Sequence, residues 1–400
     1  MEHSIAICAG ESSGDLNGAH LVAALGRIDP DLRFWGAGGR RLREAGVEVA
    51  VDMAGSGTIG IVATLESLPS IALNYFRMRS LLLKRRPDLF IPIDFGAFNT
   101  RLAQIARANG IPVVYYFPPS SWRRRPRNTS KLLACGGKVI TPFPWSAELL
   151  TNGGIDARFV GHPLVDIVKP SCSREEFLRE LGLSESLPTI GLLPGSRAHE
   201  IREHMQPLLG CAEILHRELG GAQFVIGAAW GADRMRKQVE ACFGISDVGD
   251  ANASAQSESR NNGFPVIKVV EGRTYDCMAA SDLLITSSGT ATLEAAILGV
   301  PMVIIYRGSA IMRLEYRLRK SILEDFIGMP NIVADRGVCP ELLNEDVTAE
   351  KLADIALSLL TDEERMNRMK KELGEVASML GTTGAVARAA RAVLEMGGLA

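Results

Sequence analysis

The chain has 400 residues, of which 46% are hydrophobic and 22% are charged, and this composition is typical of a folded protein. Its formal net charge of -2 argues against a nucleic-acid-binding protein, which would carry a basic domain. No run of about 18 apolar residues occurs, so we expect no membrane-spanning helix. The seven cysteines are scattered, odd in number and without a CxxC pair, which favours a reducing cytoplasm.

Short apolar runs alternate with amphipathic stretches through the first part of the chain. Amphipathic stretches such as Asp15–Arg27 and Ala97–Asn109 predict helices. Such strand–helix alternation, with strands this apolar, predicts an α/β protein whose parallel sheet is covered on both faces. The predicted strands are Ser4–Ala9, Leu32–Trp35, Leu89–Ile93, Pro112–Phe117, Lys138–Thr141 and Arg158–Val160.

The alternation stops at Gly161–Ser173, where two prolines and several small residues indicate a linker, and then starts again. Helices are predicted at Glu200–Leu219 and Ala291–Leu298. We therefore predict two doubly wound domains, residues 1–165 and 173–345, followed by helices over 346–400 that pack across the domains or onto a partner. The strands predicted in the second domain are Thr189–Leu193, Gln223–Ile226, Val266–Val270, Leu283–Thr286 and Met302–Ile305.

The first candidate site residues follow the first strand, in the segment AGESSGDLNG. Glycine lets a ligand approach the backbone, and the N-terminus of the next helix offers N–H groups to an anion or a sugar hydroxyl. The segment has neither the GK[ST] of a P-loop nor GxGxxG spacing, and an ordinary strand–helix turn is the alternative interpretation. The candidates are Glu11, Ser13, Gly14 and Asp15.

A carboxylate follows another apolar strand, in the segment IPIDFGAFN. Asp94 lies just past Leu89–Ile93, where a charged group is costly unless it is solvated, paired or functional. It could act as a general base on an acceptor hydroxyl. The alternative is that Asp94 only caps the helix Ala97–Asn109.

The second domain contains the strand-to-helix turn LLPGSRAHE. Gly195 and Ser196 open a helix, and we predict Arg197 in its first turn, where the helix dipole disfavours a cation by about 0.3–1 kcal/mol. A bound diphosphate would reverse that penalty through a charge-assisted hydrogen bond. Arg197 is therefore predicted to bind a ligand, and a solvated surface arginine is the alternative.

A second turn of this kind is TSSGTATLE. Ser288, Gly289 and Thr290 provide hydroxyl and N–H groups, and Glu294 could accept hydrogen bonds from ribose hydroxyls. The alternative is that Thr290 caps the helix and Glu294 is favoured there by the dipole. Two such turns in one domain indicate a site for a nucleotide diphosphate more strongly than either does alone.

Two segments of the first domain combine apolar and basic residues. Leu65–Arg86 ends in three consecutive cations and could lie against an anionic membrane surface, although a buried helix with a basic end is the alternative. Tyr115–Arg127 places four arginines beside aromatic residues, which suits a phosphorylated or lipid-surface partner.

A zinc site is not expected. His199 and His204 superficially resemble the HExxH motif, but they are five residues apart and do not share a helix face. No other His or Cys cluster has ligand spacing, so we predict neither a metal nor another cofactor.

Several motifs occur together in one order: AGESSGD, GHPLVD, LLPGSR, SSGTATLE, PMVIIYR and MPNIVADR. In this order and spacing the chain resembles the lipid-A-disaccharide synthase family over roughly residues 5–343. The resemblance implies a GT-B fold, in which two Rossmann-like domains face a cleft, and a metal-independent, inverting glycosyltransferase. That family joins UDP-2,3-diacylglucosamine to 2,3-diacylglucosamine 1-phosphate, which gives a β-1,6-linked disaccharide and UDP.

The resemblance also implies roles for single residues and a location. Asp94 matches the first acid of the family's IDxxDFN segment and would be the base, with Glu11 and Asp15 on the reaction side. The enzyme would lie on the inner face of the inner membrane without binding nucleic acid, and a homodimer is compatible with the sequence. The implied UDP-binding residues are Gly195, Ser196, Arg197, Ser288, Gly289, Thr290, Glu294 and Asn331, and the implied acceptor-binding residues are Ser13, Gly14, Asn99, Ser120, Trp122 and Arg125.

Four departures from the family pattern fall in the first domain. Ala63 and Pro144 stand where the family has glutamates, Ala97 replaces the second acid, and Pro118–Arg125 replaces SPxxWAWR. Three alternatives therefore stay open: a divergent paralogue with another acceptor, an enzyme similar to a UDP-GlcNAc 2-epimerase, and a non-catalytic UDP-sugar-binding protein.

Overall fold

The computed structural model describes residues 3–53, 61–119, 129–228, 231–243, 264–308 and 326–399. The chain forms two compact units. The first contains Met1–Asp166 together with Met379–Ala400, and the second contains Ile167–Ser378.

Strands and helices alternate in the first half of the chain. The strands are β1 (Ser4–Ala9), β2 (Arg33–Gly38), β3 (Glu48–Asp52), β4 (Leu89–Ile93), β5 (Tyr115–Tyr116), β6 (Lys138–Thr141) and β7 (Asp156–Phe159). The helices are α1 (Ser12–Ile28), α2 (Arg40–Glu44), α3 (Ile61–Arg85), α4 (Gly96–Ala108), α5 (Ser130–Ala134), α6 (Pro144–Asn152) and α7 (Leu164–Ile167).

The second half repeats this alternation and ends in helices. The strands are β8 (Thr189–Leu193), β9 (Gln223–Ala228), β10 (Val266–Glu271), β11 (Leu283–Ser287), β12 (Met302–Tyr306) and β13 (Glu341–Leu343). The helices are α8 (Arg174–Glu180), α9 (Ala198–Glu218), α10 (Ala232–Phe243), α11 (Thr274–Ala279), α12 (Thr290–Ile297), α13 (Met329–Ala334), α14 (Ala349–Leu360), α15 (Glu363–Met379) and α16 (Ala385–Gly397).

Both units contain an all-parallel sheet, and the two sheets share one strand order. The first sheet runs β3-β2-β1-β4-β5-β6-β7, and the second runs β10-β9-β8-β11-β12-β13. In each sheet, the direction of the strand order reverses between the first and the fourth strand of the unit. These switch points lie between β1 and β4 and between β8 and β11. Doubly wound sheets bind their ligands at the carboxyl ends of the strands beside such a switch point. The prediction of two doubly wound domains is confirmed.

The strands beside the switch points form the centre of each unit because both of their faces are covered. All residues of β4, β8 and β11 are buried, as is β1 from Ile5 onward. Ile5 pairs with Leu89 in the first sheet, and Ile190 pairs with Leu283 in the second. Burying each such aliphatic side chain contributes about 1.5–3 kcal/mol, which fixes the register of these strands and the position of the turns that follow them.

The strand predictions were least accurate at the sheet edges and beside a proline. The short strands β3 and β13 were missed because they are edge strands that lack a continuous apolar run. The predicted strand Pro112–Phe117 contracts to β5, because proline has no N–H to donate to the ladder. Val113 still forms an isolated bridge with Phe90, so the chain remains extended before β5.

The C-terminal helices belong to different units. Helix α14 packs on α9 in the second unit, whereas α16 packs on α1 in the first. The Asp166 carboxylate fixes the start of α16 by accepting hydrogen bonds from the backbone N–H groups of Gly384 (2.6 Å) and Val386 (2.9 Å). Among the described residues, no helix combines the length and apolarity needed to cross a bilayer.

Candidate active site

The switch point of the first unit brings two carboxylates together. The last residues of β1 and β4, Ala9 and Ile93, are paired, so the turns that follow both strands are neighbours. Gly10 packs directly on Phe95, because a Cβ atom at position 10 would lie 2.2 Å from the phenyl ring. Glu11 follows at the N-cap of α1 and is close enough to Asp94 to influence its ionisation.

The backbone of the turn after β4 is unusual. Asp94 and Phe95 have φ angles of 43° and 55°, and Gly96 follows with 39°. Left-handed conformations cost a non-glycine residue about 1–2 kcal/mol, and they persist only where the surroundings hold them. The Asp94 N–H donates to the Phe117 carbonyl (3.1 Å), which ties the turn to the end of β5.

The half-buried carboxyl group of Asp94 is prepared for proton transfer near neutral pH. Its pKa is raised to about 6, chiefly by burial and also by the charge of Glu11, while a backbone hydrogen bond from Phe95 opposes both effects. A general base is most effective when its pKa is close to the working pH. The environment of Asp94 is therefore suited to general-base chemistry.

Asp15 has a different environment. Its carboxylate accepts hydrogen bonds from the backbone N–H groups of Gly39 (2.7 Å), Arg41 (3.0 Å) and Leu42 (3.4 Å). This places a negative charge at the start of α2 and ties α1 to the turn after β2. The geometry gives Asp15 a positioning function in the fold.

The predicted acceptor residues are divided between described and undescribed parts of the chain. Asn99 is fully buried, and its amide donates to the carbonyl groups of Cys8 (3.0 Å), Ile93 (2.9 Å) and Asp94 (3.1 Å). Ser13 is half-buried in the first turn of α1, and Gly14 beside it is buried. Ser120, Trp122 and Arg125 lie outside the described residues, as does the side chain of Ala63.

In the second unit, the turn after β8 encloses an acid that our sequence analysis did not select. Glu200 is 5% exposed and accepts hydrogen bonds from the backbone N–H groups of Ser196 (3.1 Å) and Arg197 (3.2 Å). Its other oxygen accepts from the Arg197 guanidinium (2.8 Å). Gly195 has a φ of 123°, and a Cβ atom there would lie 2.5 Å from the same carboxylate.

The prediction that Arg197 lies in the first turn of α9 was wrong, because the helix begins at Ala198 and Arg197 is its N-cap residue. Glu200 occupies the third helical position, which is the place of the acid in a capping box. That spacing was the sequence signal for Glu200. The pair neutralises the cation locally, while the Arg197 side chain stays 30% exposed.

His204 links two loops of the second unit. Its Nδ1 atom donates to the Pro194 carbonyl (2.6 Å), and its Nε2 atom accepts from the Arg307 backbone N–H (2.9 Å). Burial lowers the pKa of this imidazole, so the ring is neutral, as this pattern of donor and acceptor requires. Among the described residues, no group of three or more His, Cys, Asp or Glu side chains could hold a metal ion.

The turn after β11 presents an accessible helix N-terminus. Gly289 is the exposed N-cap residue of α12, and no side chain caps the helix there. The space that a Cβ atom would occupy at Gly289 is open. Thr290 is exposed as the first helical residue. Ser288 fixes the turn by donating its backbone N–H to the Ile305 carbonyl and its hydroxyl to the Ile327 carbonyl, both at 2.8 Å. Exposed N–H groups at a helix N-terminus suit a phosphate group.

Two further predicted residues lie near this turn and differ in accessibility. Glu294 is half-buried and accepts a hydrogen bond from the Tyr275 hydroxyl (3.1 Å). Asn331 is 1% exposed, and its amide donates to Cys339 and Glu341 while its oxygen accepts from Val338 and Cys339. These four bonds use the full capacity of the Asn331 side chain, so it supports the loop and has no group left for a ligand.

Comparison with known proteins gives a match over nearly the whole chain. The lipid-A-disaccharide synthetase family model matches residues 5–394. The lipid-A-disaccharide synthase of Syntrophus aciditrophicus (strain SB) is 36% identical over 388 residues, which cover 96% of each chain.

Two solved structures share the fold at low identity. The UDP-GlcNAc 2-epimerase from Neisseria meningitidis has a TM-score of 0.61 and 13% identity, and the alignment covers 94% of this chain and 97% of the epimerase. MurG from Acinetobacter baumannii has a TM-score of 0.57 and 14% identity, and the alignment covers 99% of this chain and 100% of MurG. With the two parallel sheets, these likenesses show a GT-B fold. The extent of the family match and the identity to its curated relatives lead to one conclusion: the chain belongs to the lipid-A-disaccharide synthase family.

Proposed function

We propose that this protein joins UDP-2,3-diacylglucosamine to 2,3-diacylglucosamine 1-phosphate and releases UDP. The observation that carries the proposal is the relationship to lipid-A-disaccharide synthases over nearly the whole chain. The site geometry supports it, because a carboxyl group with a pKa of about 6 lies beside the switch point of the first unit. The second unit offers an accessible helix N-terminus and a cation, which suit a diphosphate.

In the proposed reaction, Asp94 accepts the proton of the acceptor 6-hydroxyl. The hydroxyl oxygen forms a bond to the anomeric carbon of the donor, while the bond from that carbon to the phosphate oxygen breaks. The bonding electrons leave with UDP, and direct displacement inverts the anomeric configuration. The proton ends on the Asp94 carboxylate, so atoms and charge balance.

The leaving diphosphate would be stabilised without a metal. We assign this function to the N–H groups at the start of α12 and to the guanidinium of Arg197. Glu294 would accept hydrogen bonds from the ribose. In this scheme Asp15, Asn99 and Asn331 are positioning residues, because their polar atoms hold backbone turns at the carboxyl edges of the two sheets.

The acylated substrates suggest docking on a membrane surface through α3. Met78 and Leu82 face the core, whereas Leu73 and Phe76 on the same helix are 59% and 62% exposed. The exposed Arg77 lies next to this apolar pair. An apolar face beside cations suits the interface of an anionic bilayer, so we propose peripheral association with the inner face of the membrane.

Incubation of the purified protein with both substrates, followed by mass analysis, tests the reaction. We expect a disaccharide 1-phosphate and one UDP for each bond formed. Epimerised sugar without an acceptor would indicate the epimerase alternative, although the likeness to the Neisseria meningitidis epimerase concerns the fold alone. UDP binding without any release would indicate a non-catalytic binding protein, and turnover only with a different acceptor would indicate a divergent paralogue.

Flotation with vesicles of anionic phospholipid tests the membrane proposal. The double substitution Leu73→Ser and Phe76→Ser should reduce the bound fraction several-fold, because it removes apolar area that would enter the interface. Leu133→Ser is the matched control, since Leu133 is 46% exposed on α5 and lies outside this face. Equal binding of both variants and the parent protein would refute docking through α3.

A further inference from the structure

A side-chain clamp holds the carbonyl group of Asp94. The Tyr115 hydroxyl donates to this oxygen at 2.8 Å, and the Asn99 amide donates to it at 3.1 Å. Tyr115 is 1% exposed and lies on β5, while Asn99 is fully buried on α4. The carbonyl is therefore fixed from a neighbouring strand and from the following helix.

The clamp acts on strained backbone. Two consecutive non-glycine residues, Asp94 and Phe95, are left-handed, and such a turn would relax if its hydrogen bonds were removed. The direction of the Asp94 carboxylate depends on this backbone conformation. A donor on the Asp94 carbonyl thus controls the position of the carboxylate without touching it.

We propose that Tyr115 is a positioning residue for Asp94: its hydroxyl, bound to the Asp94 carbonyl, holds the left-handed turn that keeps the carboxylate half-buried and beside Glu11. This inference rests on the proposed function, in which Asp94 is the base. In this scheme Tyr115 acts through the Asp94 backbone.

The charged surroundings of Asp94 make the pH profile a sensitive measure of this positioning. Glu11 is the charged group that raises the pKa of Asp94, whereas Asp94, Cys135 and Cys8 are the titratable groups that act on Tyr115. Burial raises the pKa of Tyr115 and Cys8 well above their ordinary values, and that of Cys135 to about 11. These three groups are neutral between pH 5 and 8, so the shift of Asp94 reports on burial and on Glu11.

The test is Tyr115→Phe, which keeps the ring and removes the hydroxyl. We expect kcat to fall about 10- to 100-fold, since small displacements of a catalytic group have effects of this size. UDP affinity should not change. Once the turn relaxes, water reaches the carboxylate and the pKa of Asp94 falls. The acid limb of the plot of kcat against pH, which lies at pH about 6 in the parent protein, should then move about one pH unit lower.

Tyr116→Phe is the matched control. Tyr116 is the adjacent residue of β5 and is also 1% exposed, but it bonds to Asp94 through its backbone carbonyl (3.3 Å), which the substitution retains. This variant should keep the parent rate and profile. Titration of carboxyl-¹³C-labelled aspartate by NMR, with the Asp94 signal identified by its loss in Asp94→Asn, measures the same pKa without any turnover.

The outcomes separate this inference from the proposed function. If the parent protein formed no disaccharide, the proposed function would fail, yet the NMR titration would still show whether Tyr115 controls Asp94. An unchanged rate and profile in Tyr115→Phe would overturn the inference. So would a lower rate with an unmoved acid limb and an unmoved NMR titration, because that result indicates a general structural effect.

Discussion

Two turns, one in each unit, follow central strands of sheets with the same strand order, yet they hold a carboxylate in opposite ways. After β8, Glu200 is almost fully buried and accepts three hydrogen bonds, one of them from a guanidinium. After β4, Asp94 lies on left-handed backbone beside another acid, and its pKa is raised to about 6.

The difference shows how one topology produces two kinds of site. A carboxylate surrounded by donors stabilises a loop through its hydrogen bonds, so it supports a binding surface. A carboxylate with fewer donors and a like charge nearby holds its proton more tightly and becomes a base near neutral pH. We therefore expect substitutions in the first unit to act on catalysis and those in the second to act on UDP binding.

Asp94→Asn should have the largest effect. An amide cannot accept the proton, so kcat should fall by about 10²–10⁴-fold, the usual contribution of a general base. UDP affinity, measured by calorimetry, should remain as in the parent protein. The control Asp156→Asn, an exposed carboxylate on β7, should be neutral. Undiminished turnover of Asp94→Asn would remove Asp94 from the reaction and abolish the contrast between the units.

Arg197→Ala should show the opposite behaviour. Loss of the guanidinium should weaken UDP binding by about 1.5–3 kcal/mol, because charge-assisted hydrogen bonds have this strength. The control is Arg202→Ala, which removes an exposed cation further along α9. Unaltered UDP affinity in Arg197→Ala would restrict Arg197 to its pairing with Glu200.

Gly10→Ala tests whether the backbone of the turn in the first unit holds Asp94 in place. The new methyl group would overlap the Phe95 ring, so the turn that contains Asp94 must shift. We expect lower kcat and a free energy of unfolding reduced by about 1–3 kcal/mol, as for other overpacked sites. Gly26→Ala, on α1 with open space around it, should instead stabilise the protein by about 0.5–1 kcal/mol. Similar denaturation curves for the two variants would refute the contact with Phe95.

The smallest effect concerns stability and pH. Asp94 binds its proton more tightly in the folded protein than in the unfolded chain, so the protonated carboxyl group stabilises the fold. This stabilisation is complete below pH about 4 and is lost as the pH rises through about 6. Asp94→Asn stays neutral throughout. Above pH 7 it should therefore exceed the parent in stability by about 1–2 kcal/mol, after allowance for partial exposure. A constant difference from pH 4 to pH 8 in urea denaturation would contradict the raised pKa.

The sequence by itself determined the two-domain organisation and the location of the candidate turns. Apolar runs such as Leu89–Ile93 and Thr189–Leu193 coincide with β4 and β8, because strands covered on both faces must be continuously apolar. The polar segments that follow these runs are the candidate binding turns, since ligands bind where such strands end.

Only the tertiary structure decided what each polar side chain does. Asp15, Asn99 and Asn331 resembled ligand contacts in the sequence, but each is committed to backbone groups, and those bound by Asp15 and Asn99 include groups distant along the chain. Hydrogen-bond partners of this kind depend on which strands become neighbours, and local patterns carry no such information. The raised pKa of Asp94 likewise comes chiefly from burial, with Glu11 adding to it, and the pairing of β1 with β4 brings both about.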